Sequence, residues 1–242
     1  SPPSPPSPPS PPSPPSPPSP PSPPTPPTPP TPPTTTTPST ANTYPTVQDL
    51  DNDTTANTKE DTKDIIDAFL RPLGIPITGE ETEKMQFEER ATWTECWCVD
   101  PLDGTKEFIK KNGEFAVNIA LIKDEKAFFG LIASPVNREI LIGSADTGVF
   151  LFSFDQVHDF SSWKRLSRPE KHNDPLVMTC SRSHHSGPVL HFIQDLKTIT
   201  EEVVFAKKGS SLKFFDLALG TADVYPRYAP TMEWDIAAGQ AI

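Results

Sequence analysis

The first 45 residues contain no charged side chain, so the whole formal net charge of −11 falls on residues 46–242. Cysteine is scarce as well. Cys96, Cys98 and Cys180 are three in all, odd in number and sparse, which gives no disulfide framework. Cys96 and Cys98 lie two apart in a predicted strand and point to one face; without further ligands nearby they read as two small buried residues. No apolar run approaches the roughly 20 residues that a helix needs to span a bilayer. The opening at Ser1 carries no basic and apolar leader, and a cytoplasmic or organellar protein is the expectation. Lys and Arg number 21 against 32 Asp and Glu. That balance excludes broad binding to a nucleic-acid polymer, which needs clustered cations to displace counterions. An acidic chain still takes a small anion when a divalent metal supplies the positive charge.

Proline is what the chain has in excess: residues 1–45 hold 24 of its 33 prolines. Residues 1–33 repeat a strict unit, SPP and then TPP, which matches the three-residue turn of polyproline II and cannot build a core. The unit resembles the tracts of hydroxyproline-rich cell-wall glycoproteins; its plainer reading is a semi-rigid spacer. The expected organisation is therefore a low-complexity tract over 1–45, a linker over 46–58 rich in Thr, Asn and Asp, and a folded domain over 59–242.

Within that domain, Ile65, Ile66, Phe69 and Leu70 share one face of a predicted helix from Lys59 to Arg71, broken by Gly74 and Pro76. A polar, Glu-rich excursion runs to about Thr94. Strand-like runs follow at Cys96–Val99, Phe115–Ile122, Ala127–Ala133, Glu139–Ile142 and Val149–Phe154, with a hairpin at Asp124–Glu125. Phe115, Phe128, Phe129, Phe150, Phe152 and Trp163 are expected in the core. The second half alternates: a strand at LVMTCS from Leu176, a helix over Pro188–Leu196, strand at Val203–Phe205, helix over Ser211–Leu219, strand at Asp223–Tyr225, and a helix from Trp234 to Ile242. Meandering strands followed by alternation predict a layered α/β protein.

The chemistry centres on WCVDPLDGTKEF, Trp97–Phe108. A strand ending at Asp100, turned at once by Pro101 and Gly104, brings Asp100 and Asp103 around one point and leaves the Leu102 carbonyl without a strand partner. Two carboxylates and a carbonyl are hard oxygen ligands that suit Mg²⁺. Thr105 adds a hydroxyl able to hold a water. Alone, such a segment also describes an ordinary turn. Glu80 and Glu81 lie upstream in GEE, and Asp235 lies downstream in EWDIAAG, where it can also satisfy the free amides of a helix start. Gly209, Ser210 and Ser211 open the predicted helix, whose free amides favour an anion. Lys213 follows one turn inside and Arg227 stands after the Asp223–Tyr225 strand. Lys106, Lys110 and Lys111 read as a solvated face.

Taken together, DPLDGTKEFIKKNGEFAVNIALI (Asp100–Ile122), CSRSH (Cys180–His184), GSSLKF (Gly209–Phe214) and YPRYAPTMEWDIAAGQAI (Tyr225–Ile242) resemble the inositol monophosphatase superfamily, and within it the bisphosphate nucleotidase branch. The resemblance implies an α/β/α/β/α layered sandwich. It implies two or three Mg²⁺ ions held by Glu80, Asp100, the Leu102 carbonyl, Asp103 and Asp235, with Glu80 and Thr105 orienting a metal-activated water. The amides of Gly104 and Thr105 would meet the phosphate. His184, Gly209, Ser210, Lys213 and Arg227 would contact a small-molecule bisphosphate nucleotide. The implied activity is hydrolysis of 3′-phosphoadenosine 5′-phosphate to AMP and phosphate, linked to sulfate assimilation and sensitive to Li⁺, in a monomer or dimer. An inositol phosphate phosphatase is the runner-up.

Two departures stand out. The family's T-x-A-D segment is here TTAN, Thr54–Asn57, with Asn57 in place of the acid and Asp61 and Asp64 as the alternative acids nearby. The family also continues past the WDIAAG helix, so a domain truncated at both ends is expected, and an inert domain behind a structural proline tract is the third alternative.

Overall fold

The computed structural model describes residues 52–83, 85–181 and 187–242, with side chains from Thr58 onward. In chain order the elements are α1 (Asn52–Leu70), β1 (Ile77–Gly79), α2 (Phe87–Arg90), β2 (Glu95–Asp103), α3 (Thr105–Ile109), β3 (Ala116–Lys123), β4 (Lys126–Ser134), β5 (Glu139–Ser144), β6 (Gly148–Ser153), β7 (Lys164–Leu166), β8 (Leu176–Cys180), α4 (Gly187–Leu196), β9 (Val203–Lys207), α5 (Lys213–Ala218) and α6 (Glu233–Ala241). Among the described residues no helix is long and apolar enough to cross a membrane.

Strands β1 to β7 form one sheet in sequence order. β1 runs parallel to β2, and every later pair is antiparallel. From β3 to β6 the order follows from short connections that favour antiparallel neighbours. Asp124 and Glu125 both take positive φ, 49° and 62°, the twist that a two-residue hairpin demands between β3 and β4. Alternation along β3 turns Ala116, Asn118 and Ala120 inward. Register then aligns Cys98 with Ala120 and Ile132 with Leu141, giving one apolar face. Leu212 at the start of α5 and Phe215 within it, with Trp234, Ala237 and Ala238 of α6, close over that face.

Helix α6 lies unusually close to the sheet. A methyl group added to Gly130 of β4 would stand 2.1 Å from the Ala238 carbonyl oxygen, and one added to Gly239 would stand 2.3 Å from the Phe214 ring. Beyond α5 and α6 comes a parallel pair, β8 and β9. Thr179 of β8 turns to Asp216 of α5, while Leu176, Met178 and Cys180 pack on Val189 and Leu196 of α4. With α1 against β2, the layers run α/β/α/β/α.

Several local readings need correction. Helix α1 begins at Asn52, ahead of the expected Lys59. Of its four apolar residues Ile66 alone is buried, while Ile65 and Phe69 are 53% and 76% exposed, because the helix rests on the sheet along a narrower stripe. Phe115 and Phe152 are core, but Phe128 is exposed, and Cys96 is half-buried with its thiol free. The Asp223–Tyr225 strand is a single bridge between Met178 and Val224. Asp223 ties that segment by its side chain instead, accepting the amides of Val177 (2.7 Å) and Asn173 (2.8 Å).

Candidate active site

Side chains three apart on a regular strand point to opposite faces. In β2 they do not. Asp100 pairs with Asn118 and Asp103 with Ala116, so three steps on β2 oppose two on β3. The extra residue is a β-bulge, and it returns both carboxylates to one side. Pro101 sits in that bulge, where its missing N–H is tolerated. The strand therefore runs through to Asp103 rather than ending at Asp100. Inside the bulge the Leu102 amide donates to Asp100 Oδ1 (2.9 Å). Gly104, at φ 91°, then turns the chain into α3, and the Thr105 hydroxyl donates to the Leu102 carbonyl at 3.5 Å.

The third carboxylate comes from the first turn of α6. Asp235 Oδ2 accepts the Thr231 hydroxyl (2.8 Å) and the Met232 amide (3.1 Å), so the plain capping role and the site role belong to one side chain. One oxygen from each of Asp100, Asp103 and Asp235 lies within 4.8 Å of the others. Burial, then the neighbouring charges of Asp103 and Glu80, hold the Asp100 carboxyl well above the usual carboxylate range. Burial raises Asp103 too, opposed by its bonds to Ser211. Converging carboxylates that resist ionisation are compensated by a cation, and three hard oxygens suit a divalent ion such as Mg²⁺. The donor set fits a metal.

Glu80 stands beside this group rather than in it. Its amide donates to the Val99 carbonyl (3.2 Å), and its carboxylate meets Lys59 Nζ at 2.5 Å, with Glu81 at 3.3 Å from the same ammonium. Asp61 and Asp64 are exposed and do not join the three aspartates; the Asn57 side chain and His184 lie outside the described residues.

A cavity of about 200 Å³ opens against Asp103 and Asp235, and its wall includes Gly104, Gly209, Ser210, Lys213 and Arg227. Arg227 is exposed and bonds Thr231 (3.0 Å) and Ser181 (3.4 Å). Lys213 is buried. Its ammonium donates to the carbonyls of Lys208 (3.2 Å) and Ser210. Burial brings its pKa down to about 8, partly opposed by Asp103 and assisted by Arg227. Lys106 lines the cavity, whereas Lys110 and Lys111 face solvent.

The expectation of free amides at Gly209–Ser211 is overturned. The helix begins later, at Lys213. The Gly209 amide donates to Glu114 Oε2 (2.8 Å) and the Ser211 amide to Asp103 Oδ2 (2.5 Å), so both are already committed to carboxylates. Glu114, Asn118 and Lys59 are polar residues near the site that the sequence reading missed, and Ser211, read there as a free amide, instead bonds Asp103 and Asn118. Asn118 alone left a signal, as an amide at an inward position of an otherwise apolar strand.

Comparison with known proteins places this geometry. Residues 35–242 match the profile of the inositol monophosphatase family. Over 168 residues the chain is 40% identical to the 3′(2′),5′-bisphosphate nucleotidase CysQ of Buchnera aphidicola, covering 69% of this chain and 58% of that protein. Over 173 residues it is 39% identical to the protein of the same name from Escherichia coli strain K12, covering 69% and 63%. The chain thus spans 58% to 63% of the length of these curated relatives. Among solved structures, CysQ from Bacteroides thetaiotaomicron superposes with a TM-score of 0.67 at 39% identity, over 76% of this chain and 70% of that one. Inositol monophosphatase II from Staphylococcus aureus, at 21% identity and a TM-score of 0.62 over 80% of this chain and 69% of that one, shares the fold. A profile match over most of the chain, on a fold that carries three converging aspartates, assigns this chain to the inositol monophosphatase family.

Proposed function

We propose that the domain is a Mg²⁺-dependent phosphomonoesterase that hydrolyses 3′-phosphoadenosine 5′-phosphate to AMP and phosphate, acting in the cytoplasm or an organelle on a by-product of sulfate assimilation. The observation that carries this reading is the meeting of Asp100, Asp103 and Asp235 at the edge of a cavity that also presents Arg227 and the Gly209–Ser211 loop. The relatives named bisphosphate nucleotidases, at 40% and 39% identity, favour this substrate class.

Glu80, Asp100, the Leu102 carbonyl, Asp103 and Asp235 would hold two or three Mg²⁺ ions, which supply charge neutralisation and lower the pKa of water. The chain's own groups do the rest. Asp103 and Asp235 stand at the edge of the cavity where the reacting phosphate would lie, and would act on it through the ions they hold. Thr105, whose hydroxyl faces the Leu102 carbonyl, and Glu80 orient the attacking water, and the Glu80 carboxylate accepts its proton. The amides of Gly104 and Thr105 serve as donors to the phosphate that is cleaved. Arg227, exposed on the cavity wall, meets the phosphate that is not, with His184 and the Gly209–Ser210 backbone beside the nucleotide. Lys213, on the cavity wall with its ammonium held by the Lys208 and Ser210 carbonyls, braces the loop in place of the nucleotide contact that the resemblance implied. Such a site works by positioning and charge, and needs no protein nucleophile.

Purified chain with Mg²⁺ is expected to release phosphate from 3′-phosphoadenosine 5′-phosphate in preference to inositol 1-phosphate, and Asp100→Asn is expected to remove that release. The reverse preference, or no Mg²⁺-dependent release at all, overturns the proposal.

A further inference from the structure

We infer that Asn118 and Ser211 are positioning residues of the metal centre, which select the oxygen of Asp103 that an ion receives and lock the Gly209–Ser211 loop to that choice. The inference rests on the function proposed above and deepens it.

Three parts of the chain close a triangle of bonds. Asn118 Oδ1, from the middle of β3, accepts the Ser211 hydroxyl at 2.6 Å. Asn118 Nδ2 donates to Asp103 Oδ2 at 3.5 Å, and the Ser211 amide donates to that same oxygen at 2.5 Å. Both donors therefore converge on Oδ2. With Oδ2 committed to these donors, Oδ1 becomes the oxygen offered to a cation. Neither bond is replaced easily by solvent, because Asn118 is 1% exposed and Ser211 is 3% exposed.

Packing does not call for an amide here. The neighbouring inward positions of β3 are Ala116 and Ala120, both fully buried, and a buried amide costs free energy unless its hydrogen bonds are made. The polar side chain is accounted for by what it holds. Ser211 closes the loop whose other members, Gly209 and Ser210, line the cavity. A shift of Asp103 on binding an ion is then a shift of the cavity wall, and the coupling works in both directions.

The test measures Mn²⁺ affinity of the full 242-residue chain by electron paramagnetic resonance, with the thermal midpoint of the metal-free protein recorded alongside. Asn118→Ala removes both side-chain bonds and is expected to weaken Mn²⁺ binding about tenfold, the scale of lost outer-shell partners. Ser211→Ala keeps the backbone donor to Asp103 but releases Asn118, and about a threefold loss is expected. The double variant is expected to bind no more weakly than Asn118→Ala, since both act through one link. In turnover, the Mg²⁺ needed for half-maximal rate rises by the same factor. Unchanged Mn²⁺ affinity with a lowered thermal midpoint would reduce both residues to a structural role and overturn the inference, as would additive losses. Should Asn118→Ala fail to fold, Ser211→Ala decides alone: a threefold loss supports the link and no loss refutes it. A wild-type chain that binds Mn²⁺ without hydrolysing the nucleotide sinks the proposed activity and leaves the positioning role to the same variant series. A chain that binds no Mn²⁺ sinks both.

Discussion

Asp100 is 1% exposed and shares its surroundings with Asp103 and Asp235, so its chemistry and its effect on folding lie in the same atoms. Burial and like charge raise its pKa in the folded chain. In the unfolded chain an aspartate titrates near about 3.9. Above that value the folded state therefore binds more protons than the unfolded one, and stability falls as pH rises towards the folded pKa. Metal-free wild type is expected to melt at progressively lower temperature as pH is raised from about 4 to about 7. Asp100→Asn keeps the shape and removes the charge, so its melting curve is expected to be flatter and higher at neutral pH. Parallel curves for the two proteins would defeat this account. At this scale the sequence reading was uneven. DPLDGT and WDIAAG named the acids because their residue types and turn formers are local. The fate of the Gly209 and Ser211 amides was not legible, since their acceptors Glu114 and Asp103 lie 95 and 108 residues away in sequence.

Among the elements, β2 and α6 carry the site, and each reaches it by a backbone device. The bulge in β2 was hidden because a strand that stopped at Asp100 and a strand bulged at Pro101 demand the same turn-forming residues. The five runs that became β2 to β6 were legible, since each is an apolar, β-branched or aromatic stretch of four or more residues, a local signal. β1 and β7, three residues each, are too short to show any period. Helix α6 was legible as a helix, but its depth on the sheet depends on Gly130, a contact no local pattern contains. That contact makes a prediction. Gly130→Ala places a methyl group 2.1 Å from the Ala238 oxygen, a backbone atom that cannot swing aside. The helix has to lift, and Asp235 in its first turn lifts with it. Overpacking of this kind costs about 1–3 kcal/mol. The expected result is a lower thermal midpoint together with weaker Mn²⁺ binding, although Gly130 lies in β4, outside the acid cluster. Loss of stability with unchanged Mn²⁺ affinity would show that α6 positions Asp235 without help from that contact.

For the molecule as a whole, the acids that converge come from two layers: Asp100 and Asp103 from the large sheet, Asp235 from the helix that covers it. An ion bound by all three ties those layers together in the folded state and finds no such arrangement in the unfolded chain. Binding to the folded state alone stabilises it by RT ln(1 + [L]/Kd), about 2.7 kcal/mol when the ion is at about 100 times its Kd. Relief of the repulsion among the carboxylates lies within that same binding free energy, so the net charge of −11 requires a control for simple screening. Mg²⁺ is expected to raise the thermal midpoint well beyond NaCl at equal ionic strength, and a chelator is expected to reverse the gain. Asp235→Asn removes one layer's contribution, so the gain from Mg²⁺ shrinks while the response to NaCl stays the same. Equal rises with Mg²⁺ and NaCl would mean that the three aspartates respond only to ionic atmosphere, and the link between sheet and helix through a bound ion would fall.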